Sequence, residues 1–173
     1  MKDIKESAMA MKQTAISLLP TEVEKSTLLN INSILRQVLN ETKMPSEIEV
    51  KVEYGDNLPL ILADSRWLSL GVFTNLISNS LREMSEGGLL KIVTRRIEQR
   101  VEVEVTDTGP GIPDRIAKSP QLFREQIKGT GSSGLGLHLV GTIIRKYGGD
   151  IKLTKTDSNG TTFTFWLPIA KSQ

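Results

Sequence analysis

The sequence predicts a two-layer α/β sandwich, in which helices cover one face of a mixed, mostly antiparallel sheet. Two pairs of segments with alternating apolar residues are joined by short polar links, a pattern typical of β-hairpins. Four other segments have apolar residues at intervals of three and four, which predicts amphipathic helices. The two kinds of segment do not alternate regularly, so a purely parallel sheet is not expected.

The N-terminal segment is predicted to form a helix over residues 2–19. Its apolar stripe consists of Ile4, Ala8, Met11, Ala15, Leu18 and Leu19. Pro20 ends this pattern, and the following TEVEKST is expected to be a linker. The chain is therefore divided into a helical linker, residues 1–26, and a domain of residues 27–173.

The first half of the domain is predicted to contain two helices and a strand. These are a helix from Leu28 to Asn40, a strand from Ile48 to Tyr54, and a helix from Ser65 to about Ser85. A short apolar run, Leu58 to Leu62, precedes Asp64, which is a suitable N-cap for the second helix.

The second half is predicted to contain two hairpins and one helix. Its segments are a hairpin of Leu89–Arg95 with Val101–Asp107, a helix from Leu135 to Tyr147, and a hairpin of Ile151–Thr156 with Thr161–Leu167. Residues 108–134 between them are rich in Gly, Pro and Ser and are expected to be a loop with at most a short helix near Phe123. A loop of that length within a compact domain is usually functional.

Composition sets limits on the function. The 173 residues carry a net charge of +2, which is too small to indicate a nucleic-acid partner. No apolar run approaches the roughly 20 residues needed to span a bilayer, and no membrane contact is expected. With no cysteine and one histidine, thiolate zinc sites and histidine-based triads lack their residues. These features fit a cytoplasmic protein.

Two asparagines and an arginine occupy one ridge of the helix predicted at 65–85. Asn75 and Asn79 are four residues apart, and Arg82 lies one turn further along. Asparagine is a mediocre helix former, so two of them in mid-helix need a reason. An amide oxygen could ligate Mg²⁺ while Arg82 reaches phosphate. Two solvated surface amides would give the same pattern.

A carboxylate ends the second strand of the first hairpin. Val101, Val103 and Val105 point to one side of that strand, and by parity Asp107 does too. A buried carboxylate needs a donor, and the exocyclic amine of a heterocycle would supply one. Gly109 and Gly111 follow directly and would let a flat ring approach the backbone. An aspartate capping an ordinary Pro-Gly turn is the alternative.

A glycine-rich run leads into the helix predicted at 135–147. The sequence KGTGSSGLGLHLV places glycines at 129, 131, 134 and 136. Unpaired N–H groups at a helix N-terminus are suited to binding phosphate, although a mobile loop is the alternative. The spacing also matches a dinucleotide fingerprint, but no buried strand precedes it and no βαβ unit surrounds it.

Taken in order, these motifs resemble the catalytic domain of sensor histidine kinases. The quoted series is LADSRWLSLGVFTNLISNSLREMSEGG, DTGPGIP, GTGSSGLGLHLV and GTTFTFWLP, and the resemblance covers about residues 28–168. That family shares its fold with gyrase, the Hsp90 chaperones and the mismatch-repair ATPases, the Bergerat-type ATP-binding fold. The resemblance implies ATP and Mg²⁺ as ligands.

The resemblance also implies a role for each matching residue. Asn79 is similar in position to the Mg²⁺ ligand, with Asn75 as its partner and Arg82 as a phosphate contact. Asp107 resembles the adenine-recognising aspartate; Leu122 and Phe123 resemble the phenylalanine box. The expected nucleotide contacts are completed by Gly109, Gly111, Gly131, Gly134, Leu135, Gly136 and Thr161. Glu83 departs from the alanine or aromatic residue usual at its position, and Ser80 from a common alanine.

The expected activity is transfer of the γ-phosphoryl group of Mg·ATP to a histidine on another segment or chain. A full kinase carries that histidine on a dimerisation segment, which residues 2–19 resemble only at its end, so a homodimer is possible in the full protein. A response regulator would be an indirect partner. Two alternatives remain: a nucleotide-binding regulatory module without turnover, and a gyrase-type ATPase. The ATPase is disfavoured because Asn75 occupies the position of its general-base glutamate.

Overall fold

The computed structural model describes residues 26–119, 122–124 and 133–171. The helix predicted at 2–19 and most of its linker lie outside these residues. Seven strands are described: β1 Thr27–Leu29, β2 Ile48–Glu53, β3 Ile61–Ala63, β4 Gly88–Ile97, β5 Arg100–Asp107, β6 Asp150–Asp157 and β7 Gly160–Pro168. The helices are α1 Ile31–Glu41, a π-helical segment Trp67–Phe73 that continues as α2 Thr74–Glu83, α3 Asp114–Ala117 and α4 Ser133–Lys146.

The main sheet has five strands in the order β2-β4-β5-β7-β6. Only the pair β2–β4 is parallel, and the other three pairs are antiparallel. The predicted mixed, mostly antiparallel sheet is therefore confirmed, as are both predicted hairpins. Strands β1 and β3 form a separate antiparallel ribbon.

The core lies between one face of the sheet and the helices. Alternate side chains of the central strands are fully buried there, including Val103 on β5 and Phe165 on β7. The ring of Phe165 packs edge-on against Phe73 of the π-helical segment, with centroids 5.7 Å apart. The opposite face carries ion pairs such as Arg95 with Glu102, at 2.7 Å. Helices on one face and charges on the other confirm the predicted two-layer sandwich.

The helix predicted from Leu28 begins at Ile31, and this prediction is corrected. Leu28 lies in β1 and pairs with Leu62 of β3. Asn30 caps the helix, because its Oδ1 accepts a hydrogen bond from the N–H of Asn32 at 2.9 Å. The three-residue interval from Leu28 to Ile31 extended the helical pattern one turn too far.

The loop predicted to contain at most a short helix near Phe123 has a described short helix at another position. Helix α3 lies earlier, at Asp114–Ala117, where the carbonyl of Pro113 accepts from the N–H groups of Ile116 and Ala117. Residues 122–124 form a turn. Pro113 is the N-cap residue of α3, with φ of −55° and ψ of 137°, and the helix starts directly after it.

The helix after Asp64 has the predicted N-cap but not a uniform pitch. The Oδ1 atom of Asp64 accepts from the N–H of Arg66 at 2.9 Å. The segment from Trp67 to Phe73 is π-helical before the α-helical pattern resumes. Within the described ranges, no helix is long and apolar enough to cross a membrane.

Candidate functional site

The carboxyl end of β5 meets the side of α2, and this junction positions Asp107. The Asp107 side chain is 4% exposed and lies on the same buried face as Val103 and Val105, as strand parity predicts. Its Oδ2 accepts a hydrogen bond from Ser80 Oγ and its Oδ1 from the N–H of Gly109, each at 3.0 Å. The carboxylate is thus held by two donors from different elements.

The electrostatics of this carboxylate favour a further donor. Burial raises the pKa of Asp107, and hydrogen bonds from Gly109, Ser80 and the backbone of Thr161 only partly oppose that shift. The negative charge of Glu83 raises the pKa further. Because a carboxylate has about four acceptor sites, it can take another hydrogen bond, and a ligand amine would relieve the remaining cost of burial.

The lack of a side chain at Gly109 lets the loop after β5 pack closely against this carboxylate. A Cβ atom at Gly109 would lie 3.0 Å from Asp107 Oδ1 and 3.2 Å from Glu83 Cβ. Both contacts are tighter than ordinary packing, so the glycine allows the close approach of the loop to the end of α2.

Gly111 has a different local role. Its φ is +79°, and a Cβ atom there would overlap the carbonyl oxygen of Asp157 at the end of β6. The loop is also fixed by a hydrogen bond from the N–H of Ile112 to Thr156 Oγ1, at 2.7 Å. Gly111 therefore lets the loop after β5 lie against the β6–β7 turn.

Gly111→Ala should destabilise the domain more than Gly148→Ala. Both glycines have nearly the same left-handed backbone, with φ of +79° and +78°, but at Gly148 the nearest atom to an added Cβ is 3.5 Å away. We expect a loss of about 1 kcal/mol at Gly148 from backbone strain alone, and about 2–5 kcal/mol at Gly111 from strain plus overlap. Chemical unfolding of the two variants measures the difference. Equal losses would show that the contact with Asp157 yields easily.

Asn75 is bound to the backbone of its own helix. Its Nδ2 donates to the carbonyl oxygens of Leu70 and Gly71, each at 3.0 Å. These carbonyls lie where the π-helical segment gives way to α-helical bonding, a junction that leaves backbone groups without their usual partners. The amide oxygen points the other way, 3.1 Å from the position of a Cβ atom at Gly136.

Asn79, Arg82 and Glu83 form a short chain of polar contacts along α2. The guanidinium of Arg82 donates from Nη2 to Asn79 Oδ1 at 2.9 Å. It also donates from Nε and Nη2 to Glu83 Oε1, each at 3.3 Å. Side chains of Arg82 and Glu83 are 42% and 48% exposed. The Arg82 guanidinium therefore already binds the Asn79 amide oxygen, which is the oxygen expected to ligate a metal.

The N-terminal turn of α4 faces Asn75. Gly134, Leu135 and Gly136 belong to that turn, whereas Gly131 lies outside the described residues. A Cβ at Gly136 would press on Asn75 Oδ1, so its absence lets the start of α4 approach α2. The first N–H groups of a helix have no partner within the helix, so this terminus could offer donors to an anion.

Thr161 and the turn at residues 122–124 are the remaining predicted contacts in the described residues. Thr161 is buried and pairs with Asp107 across β5 and β7. Leu122 and Phe123 are buried as well, and the Phe123 ring packs edge-on against Phe163 with centroids 5.7 Å apart. Arg145 of α4 donates to the Phe123 carbonyl. The turn therefore anchors the loop to the core.

The structure groups the predicted residues into two sets. In the first, Gly109 and Thr161 lie beside the Asp107 carboxylate. In the second, on α2, Arg82 contacts Asn79, which is one turn from Asn75. Sequence reasoning missed Ser80 as a donor to Asp107. The signal was present, because Ser80 lies four residues after Leu76 on the buried side of the helix.

The donor set determines which metals the site could hold. Among the described residues, no group of three or more His, Asp or Glu side chains could hold a metal ion by itself. An amide oxygen such as that of Asn79 suits Mg²⁺, which usually keeps several waters and binds phosphates together with one or two protein oxygens. The residues present therefore fit Mg²⁺ bound with a phosphate ligand.

Comparisons with known proteins point to one family. The model for the family described as "Histidine kinase-, DNA gyrase B-, and HSP90-like ATPase" matches residues 63–171. Sensor histidine kinase ZraS of Escherichia coli K12 is 32% identical over 149 residues, covering 85% of this chain and 30% of ZraS. The chain spans 30% of the length of ZraS and 47% of the length of the sensory histidine kinase/phosphatase NtrB of Vibrio alginolyticus.

Solved structures show the same fold. The catalytic domain of histidine kinase ThkA superposes with a TM-score of 0.67 at 30% identity, covering 83% of this chain and 95% of that domain. Full-length ShkA in complex with AMPPNP superposes with a TM-score of 0.77 at 26% identity, covering 94% of this chain and 35% of ShkA.

Proposed function

Because the chain belongs to the family of histidine kinase-, DNA gyrase B- and HSP90-like ATPases, as the ATP-binding catalytic domain of a histidine kinase, we propose that it binds Mg·ATP and transfers the γ-phosphoryl group to a histidine on another segment or chain. One observation carries the proposal. The buried carboxylate of Asp107 can accept a further hydrogen bond, and its donor Ser80 directly follows Asn79 in α2.

In this proposal the adenine amine donates to Asp107, and Gly109 adds no side chain that would obstruct the ring. The position of Asp107 between the end of β5 and α2 supports this assignment, since both elements belong to the rigid core. Thr161, near the start of β7, pairs with Asp107 and so lies beside it. Gly111 contributes indirectly, by letting the loop after β5 rest on the β6–β7 turn.

The phosphates would lie between α2 and the N-terminus of α4. Asn79 would supply an oxygen to Mg²⁺, and Arg82 would exchange part of its contact with Asn79 for a phosphate oxygen. Bound there, Mg²⁺ would neutralise charge on the phosphates. Asn75 would keep the spacing between α2 and Gly136, and the turn with Gly134, Leu135 and Gly136 would present backbone N–H groups. Gly131, outside the described residues, would belong to the loop covering the phosphates.

The transfer step needs little chemistry from this domain. A nitrogen of the acceptor imidazole attacks the γ-phosphorus and forms a P–N bond. The bond to the bridging oxygen of ADP breaks, and the imidazole proton passes to solvent. Positioning and charge stabilisation provide most of the catalysis in such reactions.

One observation favours transfer over hydrolysis. Asn75 has an amide where a carboxylate would be needed to activate water, and its Nδ2 is bound to two backbone carbonyls. The one histidine of the chain, His138, lies in α4 with its Nδ1 atom buried. In this proposal the acceptor imidazole belongs to another segment or chain, with a response regulator downstream. Residues 1–26 would be the linker to that acceptor segment.

The proposal is tested by binding and by transfer. Thermal unfolding with ADP or ATP, with and without Mg²⁺, should show an Mg²⁺-enhanced shift that NAD does not produce. Radiolabelled ATP should then phosphorylate a supplied histidine-containing dimerisation segment. No shift at millimolar nucleotide would contradict the site, and a shift without transfer would leave a nucleotide-binding regulatory module.

Glu83→Gln should strengthen nucleotide binding in the absence of Mg²⁺. The Glu83 carboxylate repels the triphosphate and holds the Arg82 guanidinium beside Asn79. Removing its charge should favour binding by on the order of 1 kcal/mol, about fivefold, and reduce the effect of Mg²⁺ correspondingly.

Glu98→Gln is the matched control for this measurement. It makes the same charge change in the turn between β4 and β5, at the end of β5 opposite Asp107. Calorimetric titration of both variants with ATP in EDTA compares them. Equal changes in the two variants would mean that only net charge matters and that Glu83 does not govern Arg82.

A further inference from the structure

Three leucines on the β1–β3 ribbon form a continuous exposed patch, here called the leucine patch. Leu28, Leu60 and Leu62 are 58%, 43% and 47% exposed. Leu28 and Leu62 are direct cross-strand partners, and Leu60, the residue before β3, is two positions from Leu62 and is expected on the same side. The alternate residues Ile61 and Ala63 are buried. The ribbon therefore covers the core with one face and presents leucines on the other.

This patch is unlike the rest of the exposed strand surface. The outer face of the main sheet is covered by charged pairs, such as Lys91 with Glu53 at 2.7 Å. Isolated exposed leucines are ordinary, but neighbouring leucines paired across two strands indicate a surface that another element covers. None of the three belongs to the proposed nucleotide site, so the patch needs a separate explanation.

The segment that precedes the ribbon is fixed where it enters the domain. The Tyr147 hydroxyl at the end of α4 is hydrogen-bonded by the Ser26 side chain and by the backbone of Asp64. Ser26 is two residues before Leu28, so the first described residue lies beside the leucine patch. Residues 20–25 can span at most about 20 Å when extended, which keeps residues 2–19 within reach of the ribbon.

We propose that the leucine patch is the docking surface for the apolar stripe predicted in residues 4–19 of the same chain. The stripe contains Ala8, Met11 and Ala15 at its centre. Small side chains let a helix approach the ribbon closely, and methionine adapts to an irregular surface. A six-residue link also gives the segment an effective concentration in the millimolar range at the patch, which favours it over a second copy of the chain.

The absence of cysteine from the chain permits a direct crosslinking test. Leu62→Cys is combined in turn with Ala8→Cys, Met11→Cys or Ala15→Cys on the stripe. Matched controls combine it with Glu6→Cys, Gln13→Cys or Ser17→Cys, which lie on the opposite side of the predicted helix. Leu62 is exposed, so its replacement should not prevent folding.

We expect at least one stripe pair to oxidise within single chains at least about tenfold faster than every control pair. Adding Leu28→Glu and Leu60→Glu should abolish that selectivity, while the same changes leave thermal unfolding of the domain nearly unchanged. Equal rates for stripe and control pairs would overturn the proposal. Disulfides formed only between chains, with a rate that rises with protein concentration, would assign the patch to a second copy instead.

Discussion

Asp107→Asn should weaken ADP and ATP binding by about 10- to 100-fold without destabilising the empty domain at pH 7. The loss in binding corresponds to about 1.5–3 kcal/mol for a hydrogen bond to a charged acceptor. In the variant, Oδ1 can still accept from the N–H of Gly109, which leaves Nδ2 facing Ser80 and the ligand amine. The Ser80 hydroxyl can rotate to accept from Nδ2, but the ligand amine is a donor only and would lose its acceptor.

Stability should change in the opposite direction, and the sign follows from the raised pKa of Asp107. A carboxyl group whose pKa is raised by folding favours the folded state below the unfolded-state pKa, near 3.8. That contribution is lost as pH rises through the folded-state pKa, so at pH 7 the ionised group costs stability. Asparagine carries no such cost. The variant should therefore lose less stability than the parent between pH 4 and pH 7.

Calorimetric titration and urea unfolding at several pH values measure the two effects together. Asp56→Asn, at an exposed turn, makes the same chemical change away from the site and should leave both quantities unaltered. Unchanged nucleotide affinity in Asp107→Asn would remove Asp107 from base recognition. Reduced affinity together with an unfolded domain would show a structural role instead.

The main sheet was predictable because its strands have a clean alternation. The two-residue period that places Val101, Val103 and Val105 inward also places Asp107 inward, and no tertiary knowledge is needed. The start of α1 was not predictable by this route. Leu28 and Ile31 have a helical interval, whereas the pairing of Leu28 with Leu62 is a contact distant in sequence. The local signal for the start was Asn30, whose cap reaches only to Asn32.

The π-helical segment shows what periodicity cannot reveal. Leu68, Val72 and Leu76 keep an interval of four, which fits an α-helix as well as a slightly wider turn. The interval does not separate an α-helix from a π-helix, and the difference depends on tertiary packing. A Cβ at Gly71 would overlap Ile143 of α4. The segment therefore passes very close to α4 at this point.

The same limit applies to the two asparagines of the site. Their interval correctly placed Asn75 and Asn79 in one helix, but it could not show that their amides have different partners. Asn75 donates to the backbone carbonyls of the π-helical segment, whereas Asn79 accepts from Arg82. The oxygen of Asn79 already accepts from a cationic group that a metal could replace, and this distinction needs coordinates.

Asn79→Ala should abolish the effect of Mg²⁺ on nucleotide binding and lower phosphoryl transfer by at least about 100-fold. The substitution removes the amide oxygen proposed as the metal ligand and leaves Arg82 with Glu83 as a partner. Binding of Mg²⁺-free ATP should change little, because that complex does not use the oxygen. The measurements are the ratio of dissociation constants with Mg²⁺ and with EDTA, and the transfer rate to a supplied histidine segment.

Ser78→Ala controls for changes to the exposed surface of α2. Ser78 neighbours Asn79, and its hydroxyl bonds only to backbone carbonyls of its own helix at 2.5 and 3.4 Å. It should retain the full Mg²⁺ effect. If Asn79→Ala also retained it, the metal would need another protein oxygen, and Asn75 Oδ1 beside Gly136 would be the next candidate on α2. Asn75→Ala would then remove the Mg²⁺ effect, in addition to the stability lost with its two backbone hydrogen bonds.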